Sequence, residues 1–386
     1  VMMVDLSAAF DMVDHSLLIE KLKLFGLDGK TVEWIQSYLL DRSQSVIIDG
    51  CLSPPLRINC GVPQGSILGP LMYVMFTNDI PDLVHDQNPQ YHCKPCGGTV
   101  CYVDDSTYSV ASPDPAVLTT TLTMQYKRIS TYMAANKLVI NDDKTHLVVM
   151  GSKAVAARRK EVHVVAGQHL IKPSSTEKLL GCQISEDLKW KEHILLGEQS
   201  LVKQLTSRVN GLCLISDKAT KQTRLMVANG IVMSKLSYLI QLWGGCDSYL
   251  QHALQLLQNR AARVVTGQGR FTPIRKLLKD CNWLSVKQLI FFQTTALVHK
   301  VILTGSPQYL KERLSTSHPY RTRQSSTGSI RFAETFGCTK DTAHDSFCYR
   351  GTKEYNTTPA SIRASRTLAT FKTRLRDLVK GNVYID

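Results

Sequence analysis

Residues 101–110 read Cys101-Tyr102-Val103-Asp104-Asp105-Ser106-Thr107-Tyr108-Ser109-Val110. Apolar and β-prone residues flank two adjacent carboxylates, the pattern of strand, tight turn, strand. At the tip of such a hairpin Asp104 and Asp105 stand side by side, and like charges that close cost energy unless a cation neutralises them. A hard divalent ion such as Mg²⁺ takes carboxylate oxygens and keeps positions for phosphate. Alone, an Asp pair reads more often as a turn, because Asp is a favoured turn residue. Its company changes that reading.

The chain opens with Val1-Met2-Met3-Val4-Asp5-Leu6, an apolar run that delivers a carboxylate at its end. If this strand lies beside the hairpin, Asp5 joins Asp104 and Asp105 as a three-carboxylate site for two metal ions. Two ions about 3.5–4 Å apart stabilise both the attacking and the leaving oxygen of a phosphoryl transfer. Between these segments comes Gly61-Val62-Pro63-Gln64-Gly65-Ser66, a rigid turn into an apolar helix at 67–80. The start of that helix favours an anion or a closely approaching backbone.

In this order the pieces resemble the palm of a reverse transcriptase. Val4-Asp5-Leu6-Ser7-Ala8-Ala9-Phe10-Asp11 is similar to the first palm motif, and Gly61-Val62-Pro63-Gln64-Gly65-Ser66-Ile67-Leu68-Gly69-Pro70-Leu71 to the second. Tyr102-Val103-Asp104-Asp105 resembles the third, and Leu138-Val139-Ile140-Asn141-Asp142-Asp143-Lys144-Thr145 the fourth. Lys178-Leu179-Leu180-Gly181-Cys182-Gln183-Ile184 is similar to the strand that grips the primer end. The wording is that of LINE-type (non-LTR) retrotransposons rather than retroviruses. Leu257-Gln258-Asn259-Arg260-Ala261-Ala262-Arg263, Asn282-Trp283-Leu284, Pro307-Gln308-Tyr309-Leu310 and Phe371-Lys372 fit the region such elements carry after the thumb.

The resemblance implies an α+β fold: a reverse-transcriptase palm, an antiparallel sheet backed by helices, over 1–188, a helical thumb over 189–270, and a basic helical region over 271–386. It implies an RNA-directed DNA polymerase working by two-metal nucleotidyl transfer, with two Mg²⁺ ions (or Mn²⁺) on Asp5, Asp104 and Asp105. It implies an RNA template, a DNA primer and dNTPs as partners, with the endonuclease that nicks the target carried separately. Phe10 is implied to lie under the nucleotide sugar and exclude a 2′-hydroxyl; its residue type alone fits a core position equally well. Gln64 and Gly65 are implied to touch template and incoming nucleotide, with Gly65 allowing close backbone approach. Lys144 is implied to protonate or neutralise the leaving pyrophosphate, against the plainer reading of a solvated turn lysine.

The sequence also departs from the family. It starts at the first catalytic strand, so the fingers, with their basic grip on the dNTP phosphates, are expected to be missing. The expectation is a fragment of a longer reading frame or a decayed copy. The alternative is a nucleic-acid-binding remnant without catalysis. An RNA-dependent RNA polymerase shares palm geometry but is disfavoured by Phe10 and by Tyr102-Val103 before the acids.

The remaining features bound these readings. With 386 residues, the chain has material for two or three domains. No signal peptide, transit peptide or uninterrupted apolar run of membrane-spanning length occurs, and eleven cysteines lie scattered without a framework. The chain reads as intracellular, in the nucleus, the cytoplasm or both, with no membrane partner. Net charge is +14, but residues 1–150 hold 10 basic against 16 acidic residues while the rest hold 36 against 16. An acidic front suits metal, and a basic rear suits polyanions through counterion release; a generic solubilising surface is the plainer reading. Cys93 and Cys96 form a CxxC, with His92 and Cys101 as further candidate zinc ligands, but no second pair completes a set. Periodicity predicts helices at 16–25, 31–40, 116–135, 190–212, 219–242, 251–266, 274–280, 285–302 and 364–380. Asp11 and Asp14 are expected to cap the first of them. Further expectations are a hairpin of 46–48 with 56–58, a turn at 141–144 before a strand at 146–150, strands at 162–165 and 178–184, and a Ser/Thr/Arg-rich loop at 315–330.

Overall fold

The computed structural model describes residues 1–83, 98–151, 157–167, 169–315, 330–332 and 346–381, and the chain is mixed α/β with helices predominating. The CxxC pair and most of the 315–330 stretch lie outside these residues. The chain divides into two compact units, Val1–Glu177 with Ser185–Asp187, and Lys178–Ile184 with Leu188–Asp386.

The first unit is built on β1 (Met2–Leu6), where Met2, Met3, Val4 and Leu6 are all buried. A strand apolar on both faces belongs at the centre of a sheet, and β1 sits there. α1 (His15–Leu24) starts at Asp14, whose Oδ1 accepts from the Leu17 N–H at 3.0 Å. Asp11 does not share this cap; its carboxylate accepts from Gln64 Nε2 at 2.9 Å. α2 (Gly29–Leu39), capped by Asp28, begins two residues ahead of the start that periodicity suggests.

The expected hairpin becomes two short ribbons, β2 (Ser43–Gln44) with β5 (Leu56–Arg57), and β3 (Ile47–Ile48) with β4 (Cys51–Leu52). Val46, Ile47, Ile48, Leu52 and Leu56 are each more than half exposed on it. Then come α3 (Gly69–Thr77), β6 (Gly98–Tyr102), β7 (Asp105–Ser109), α4 (Pro115–Ala135), β8 (Ile140–Val148), the β9–β10 ribbon (Val164–Ala166, His169–Ile171) and β11 (Pro173–Ser174).

The sheet order is β11-β8-β1-β7-β6, antiparallel throughout except for β11 on β8. Leu18 and Leu22 of α1, Tyr73 and Phe76 of α3, and Leu122, Tyr126, Ile129 and Met133 of α4 form one core with Met2, Val4, Tyr108 and Leu147 of the sheet. Antiparallel strands thus lie against helices. A polar bundle closes this packing: Lys21 Nζ donates to Phe76 O at 2.7 Å and to Tyr132 Oη at 2.8 Å, and pairs with Asp79 at 3.1 Å.

The second unit is mainly helical, with two short β pairings: the hairpin of Thr176–Leu179 with Cys182–Ser185, most of which lies in it, and Leu314–Ser315 with Arg331–Phe332. α5 (Leu201–Leu214) follows a π-helical turn, Glu192–Leu196, so the helix expected over 190–212 is interrupted. Gly197 marks the break, where any Cβ would lie 2.7 Å from Glu192 O. The helix expected over 219–242 is likewise divided into α6 (Lys221–Ala228), a π turn Asn229–Met233, α7 (Ser234–Ser237) and α8 (Ile240–Trp243). Tyr238 is extended and Leu239 left-handed, and Trp243 Nε1 holds the corner by donating to Tyr238 O at 2.9 Å. α9 (Ser248–Thr266), α10 (Ile274–Asp280), α11 (Val286–Thr304) and α12 (Gln308–Arg313) follow, and after them α13 (Phe347–Thr357), α14 (Ala360–Arg363) and α15 (Leu368–Gly381).

α11 opens with a full capping box between Ser285 and Gln288. Its buried His299 stacks on Phe371 with ring centroids 3.7 Å apart and contacts Tyr355 Oη at 3.1 Å, which ties α11, α13 and α15 together. Among the described residues, no helix is long and apolar enough to cross a membrane.

Candidate active site

The hairpin pairs Tyr102 with Asp105, so Val103 and Asp104 form a two-residue turn and Asp105 begins the return strand. Two-residue hairpins need left-handed backbone, and Val103 supplies it at φ 58°. A β-branched residue there is an outlier costing on the order of 1–3 kcal/mol, the kind of strain that collects at functional turns. Val103 is also packed against the core, which holds it in place.

β1 pairs with β7 so that Val4 faces Ser106, which sets Asp5 beside the start of β7. The electrostatics agree. Burial first, then the charges of Asp104 and Asp5, push the Asp105 carboxyl above the usual carboxylate range. Asp104 also adds to the burial that raises the Tyr73 phenol.

On its other side β1 meets β8 through a large bulge. Met3 faces His146, yet Asp5 already faces Asn141, so the stretch 142–145 arches out opposite Val4. Thr145 Oγ1 donates to Asn141 O at 2.9 Å across the arch, and Tyr126 Oη donates to Asp142. The arch carries Lys144 to Asp5, with Nζ 3.6 Å from Oδ2. Lys144 therefore lies within a strand that runs from Ile140 to Val148, not in a turn before one.

The Gly61 turn is zipped to the loop after β1. Val62 N–H donates to Phe10 O at 2.8 Å, Gly61 N–H donates to Val13 O at 2.7 Å, and His15 Nε2 lies 2.7 Å from Gly61 O. Gly61 has φ 89°, and a Cβ would sit 2.8 Å from Asp11 O, so no other residue fits. Ser66 Oγ donates to Pro63 O at 2.7 Å and accepts from Gly69 N–H at 2.9 Å, which fixes the entry to α3. Gly65 is also left-handed, at φ 79°, but with open space where its side chain would be.

These loops enclose an open pocket of about 390 Å³. Phe10, Pro63, Gln64, Gly65 and Asp104 line it, together with Leu6 and Ala9. Phe10 is half-buried and stacks on the fully buried Tyr73 with centroids 4.7 Å apart. Asp5, Asp105 and Lys144 are not among its lining residues; Lys144 pairs with Asp5, and Asp105 feels the charges of Asp104 and Asp5. Among the described residues no three His, Cys, Asp or Glu side chains converge tightly enough to hold a metal ion as they stand. The donor chemistry still fits a hard divalent cation, because burial makes the charge on Asp105 costly and the charges of Asp104 and Asp5 add to that cost.

Sequence reasoning missed Tyr73 beneath Phe10 and the Gln64–Asp11 contact. Its one available signal for the first was the spacing of Tyr73 and Phe76 along α3.

Residues 1–184 match the family model described as reverse transcriptase (RNA-dependent DNA polymerase). The probable RNA-directed DNA polymerase from transposon BS of Drosophila melanogaster is 29% identical over 324 residues, 82% of this chain and 34% of that protein. The RNA-directed DNA polymerase from mobile element jockey of Drosophila funebris is 27% identical over 279 residues, 72% of this chain and 29% of that protein. The chain thus spans about a third of the length of the curated relatives it matches. A solved structure of telomerase from Candida albicans, in complex with a fragment of telomeric RNA, aligns with 80% of this chain and 46% of that one, at 15% identity and a TM-score of 0.39. Residues 1–184 are thus similar to the reverse transcriptase family, and the relatives that match most of the chain are RNA-directed DNA polymerases of transposons and mobile elements.

Proposed function

We propose that this chain copies RNA into DNA, with 1–188 as a palm, 189–270 as a thumb and 271–386 as a basic helical extension. One observation carries the reading: Phe10, Gln64, Gly65 and Asp104, from three separate stretches of sequence, line a single pocket. Asp5, Asp104 and Asp105 are the residues that would hold two divalent ions, Mg²⁺ or Mn²⁺. Such ions supply stabilisation of negative charge on the attacking and leaving oxygens.

Phe10, backed by the buried Tyr73, cannot retreat from a sugar lying on it, so a 2′-hydroxyl meets a fixed ring. Gln64, anchored through Asp11, and the open backbone face of Gly65 form the side of the pocket for the templating pair. Lys144 holds a positive charge beside Asp5 and is exposed enough to turn toward a pyrophosphate. RNA template, DNA primer and dNTPs are the substrates of this reading, and a separate domain of the full element would supply the endonuclease.

The experiment is dNTP incorporation by the whole chain on a homopolymer RNA template with a DNA primer in Mg²⁺. Extension should occur, and Asp104→Asn should reduce it by about a hundredfold or more. Binding of the hybrid without any extension, unaffected by Asp104→Asn, would instead leave a nucleic-acid-binding domain without catalysis.

A further inference from the structure

The second unit contains a pocket of about 450 Å³ where α9, α10 and α11 begin. Gln251 and His252 of α9, Arg275 of α10 and Lys287 of α11 line it. The opening turns of the two long helices α9 and α11 lie along it, so their positive ends add to the cationic side chains. From Asp247, the N-cap residue of α9, to Lys287 the chain carries seven lysines and arginines against two acids, Asp247 and Asp280. Asp280 is engaged within the protein, since Gln268 Nε2 donates to its Oδ2 at 2.8 Å. The field at this corner is that of a polyanion site.

The loop entering α10 adds an aromatic ring. Phe271 is 96% exposed, although phenylalanine is among the side chains that most favour burial. Arg270 precedes it, and Arg275 and Lys276 follow, all exposed. The loop is braced as well as exposed. Gly267 turns through φ 68° and donates to Arg263 O at 2.8 Å, and Thr272 N–H donates to Gly269 O at 3.1 Å. A bare ring on a braced loop among cations stacks an unpaired base while its neighbours take the flanking phosphates.

We propose that this corner is a nucleic-acid site separate from the pocket at the end of β1. It takes a short single strand, with a base on Phe271 and phosphates on Arg270, Arg275, Lys276 and Lys287. A single strand is favoured over a duplex because a duplex hides the faces of its bases. The site requires neither metal nor dNTP, so it stands or falls apart from polymerase activity.

The test is a fluorescence-anisotropy titration of the whole chain with labelled oligouridine and oligothymidine of about 15 nucleotides, beside an RNA–DNA hybrid of the same length. Phe271→Ala should weaken single-strand binding about tenfold while leaving hybrid binding within about twofold. Phe271→Trp should restore it. Arg275→Gln with Lys276→Gln should lower the slope of log affinity against log salt by about 1–2. Equal losses on RNA and DNA support a site indifferent to the sugar, and a loss on one alone supports the site and assigns its strand. Unchanged single-strand affinity in Phe271→Ala, or an equal loss on the hybrid, overturns the proposal.

Discussion

Lys144 reaches Asp5 because three extra residues arch out of β8, and this placement gives it a testable role. An exposed ammonium beside a carboxylate adds little to stability, so its removal should spare the fold. Lys144→Ala should lower the turnover of dNTP incorporation by about 10- to 100-fold with little change in KM, and Lys144→Arg should recover part of it. A fall in thermal stability matching the fall in turnover would show the pair to be structural instead. At this scale the acids were the easiest residues to read, because Asp5 ends an apolar run and Asp104 and Asp105 sit in a β-turn-β pattern. Asp11 was not legible. Its partner Gln64 lies 53 positions away, and local spacing made it look like a second cap. Lys144 was misread as a turn residue because a bulge and a turn have the same composition.

Among elements, the junction of the Gly61 turn with the loop after β1 decides the shape of the pocket. Gly61→Ala would put a methyl group 2.8 Å from Asp11 O on backbone that already has positive φ. The expected cost is about 2–4 kcal/mol, read as a lower urea midpoint, with dNTP incorporation lost as Gln64 moves away from Phe10. Gly65→Ala meets no neighbour, so its cost should be confined to the backbone conformation. Long amphipathic helices such as α4 and α9 were legible from periodicity. The breaks at Gly197 and Leu239 were not, because the apolar spacing continues through them. At the first, Gly197 leaves helical backbone after donating to Glu192 O at 2.9 Å, and at the second the Trp243–Tyr238 hydrogen bond holds the corner. The two small ribbons were read as one hairpin because their strands are too short for alternation to show register.

Over the whole molecule, the two units carry different chemistry, and buried histidines lie in the second. Burial first, then Lys235, hold His193 down to about 4, and burial also lowers His299. Both are neutral in the fold and accept protons more readily once unfolded. For His193 that stabilisation is complete above the unfolded value near 6.5 and is lost as pH falls through it toward 4, and His299 acts in the same direction. For His193 alone the loss amounts to about 3 kcal/mol. Three of the four tryptophans, Trp190, Trp243 and Trp283, belong to this unit, so its unfolding can be followed by intrinsic fluorescence. The urea midpoint should drop between pH 7 and pH 5, and His193→Gln should reduce that dependence. The charge contrast between front and rear was visible in the sequence, whereas residues 178–184, expected as one strand, turn at Leu180-Gly181 between two strands and gave no sign of which unit they would join.

The ribbon of Val46, Ile47, Ile48, Leu52 and Leu56 makes the behaviour of this protein in a tube a matter of colloid science. Five apolar side chains on short, unpaired edges form an adhesive patch on an otherwise strongly charged particle. Repulsion between like-charged particles restrains such a patch at low ionic strength, and salt removes that restraint. Static light scattering should therefore rise with protein concentration, and more steeply in high salt than in low. Ile48→Lys should flatten that rise without disturbing the core, since Ile48 is already 68% exposed. Kinetic constants would then depend on protein concentration unless the ribbon is blunted first.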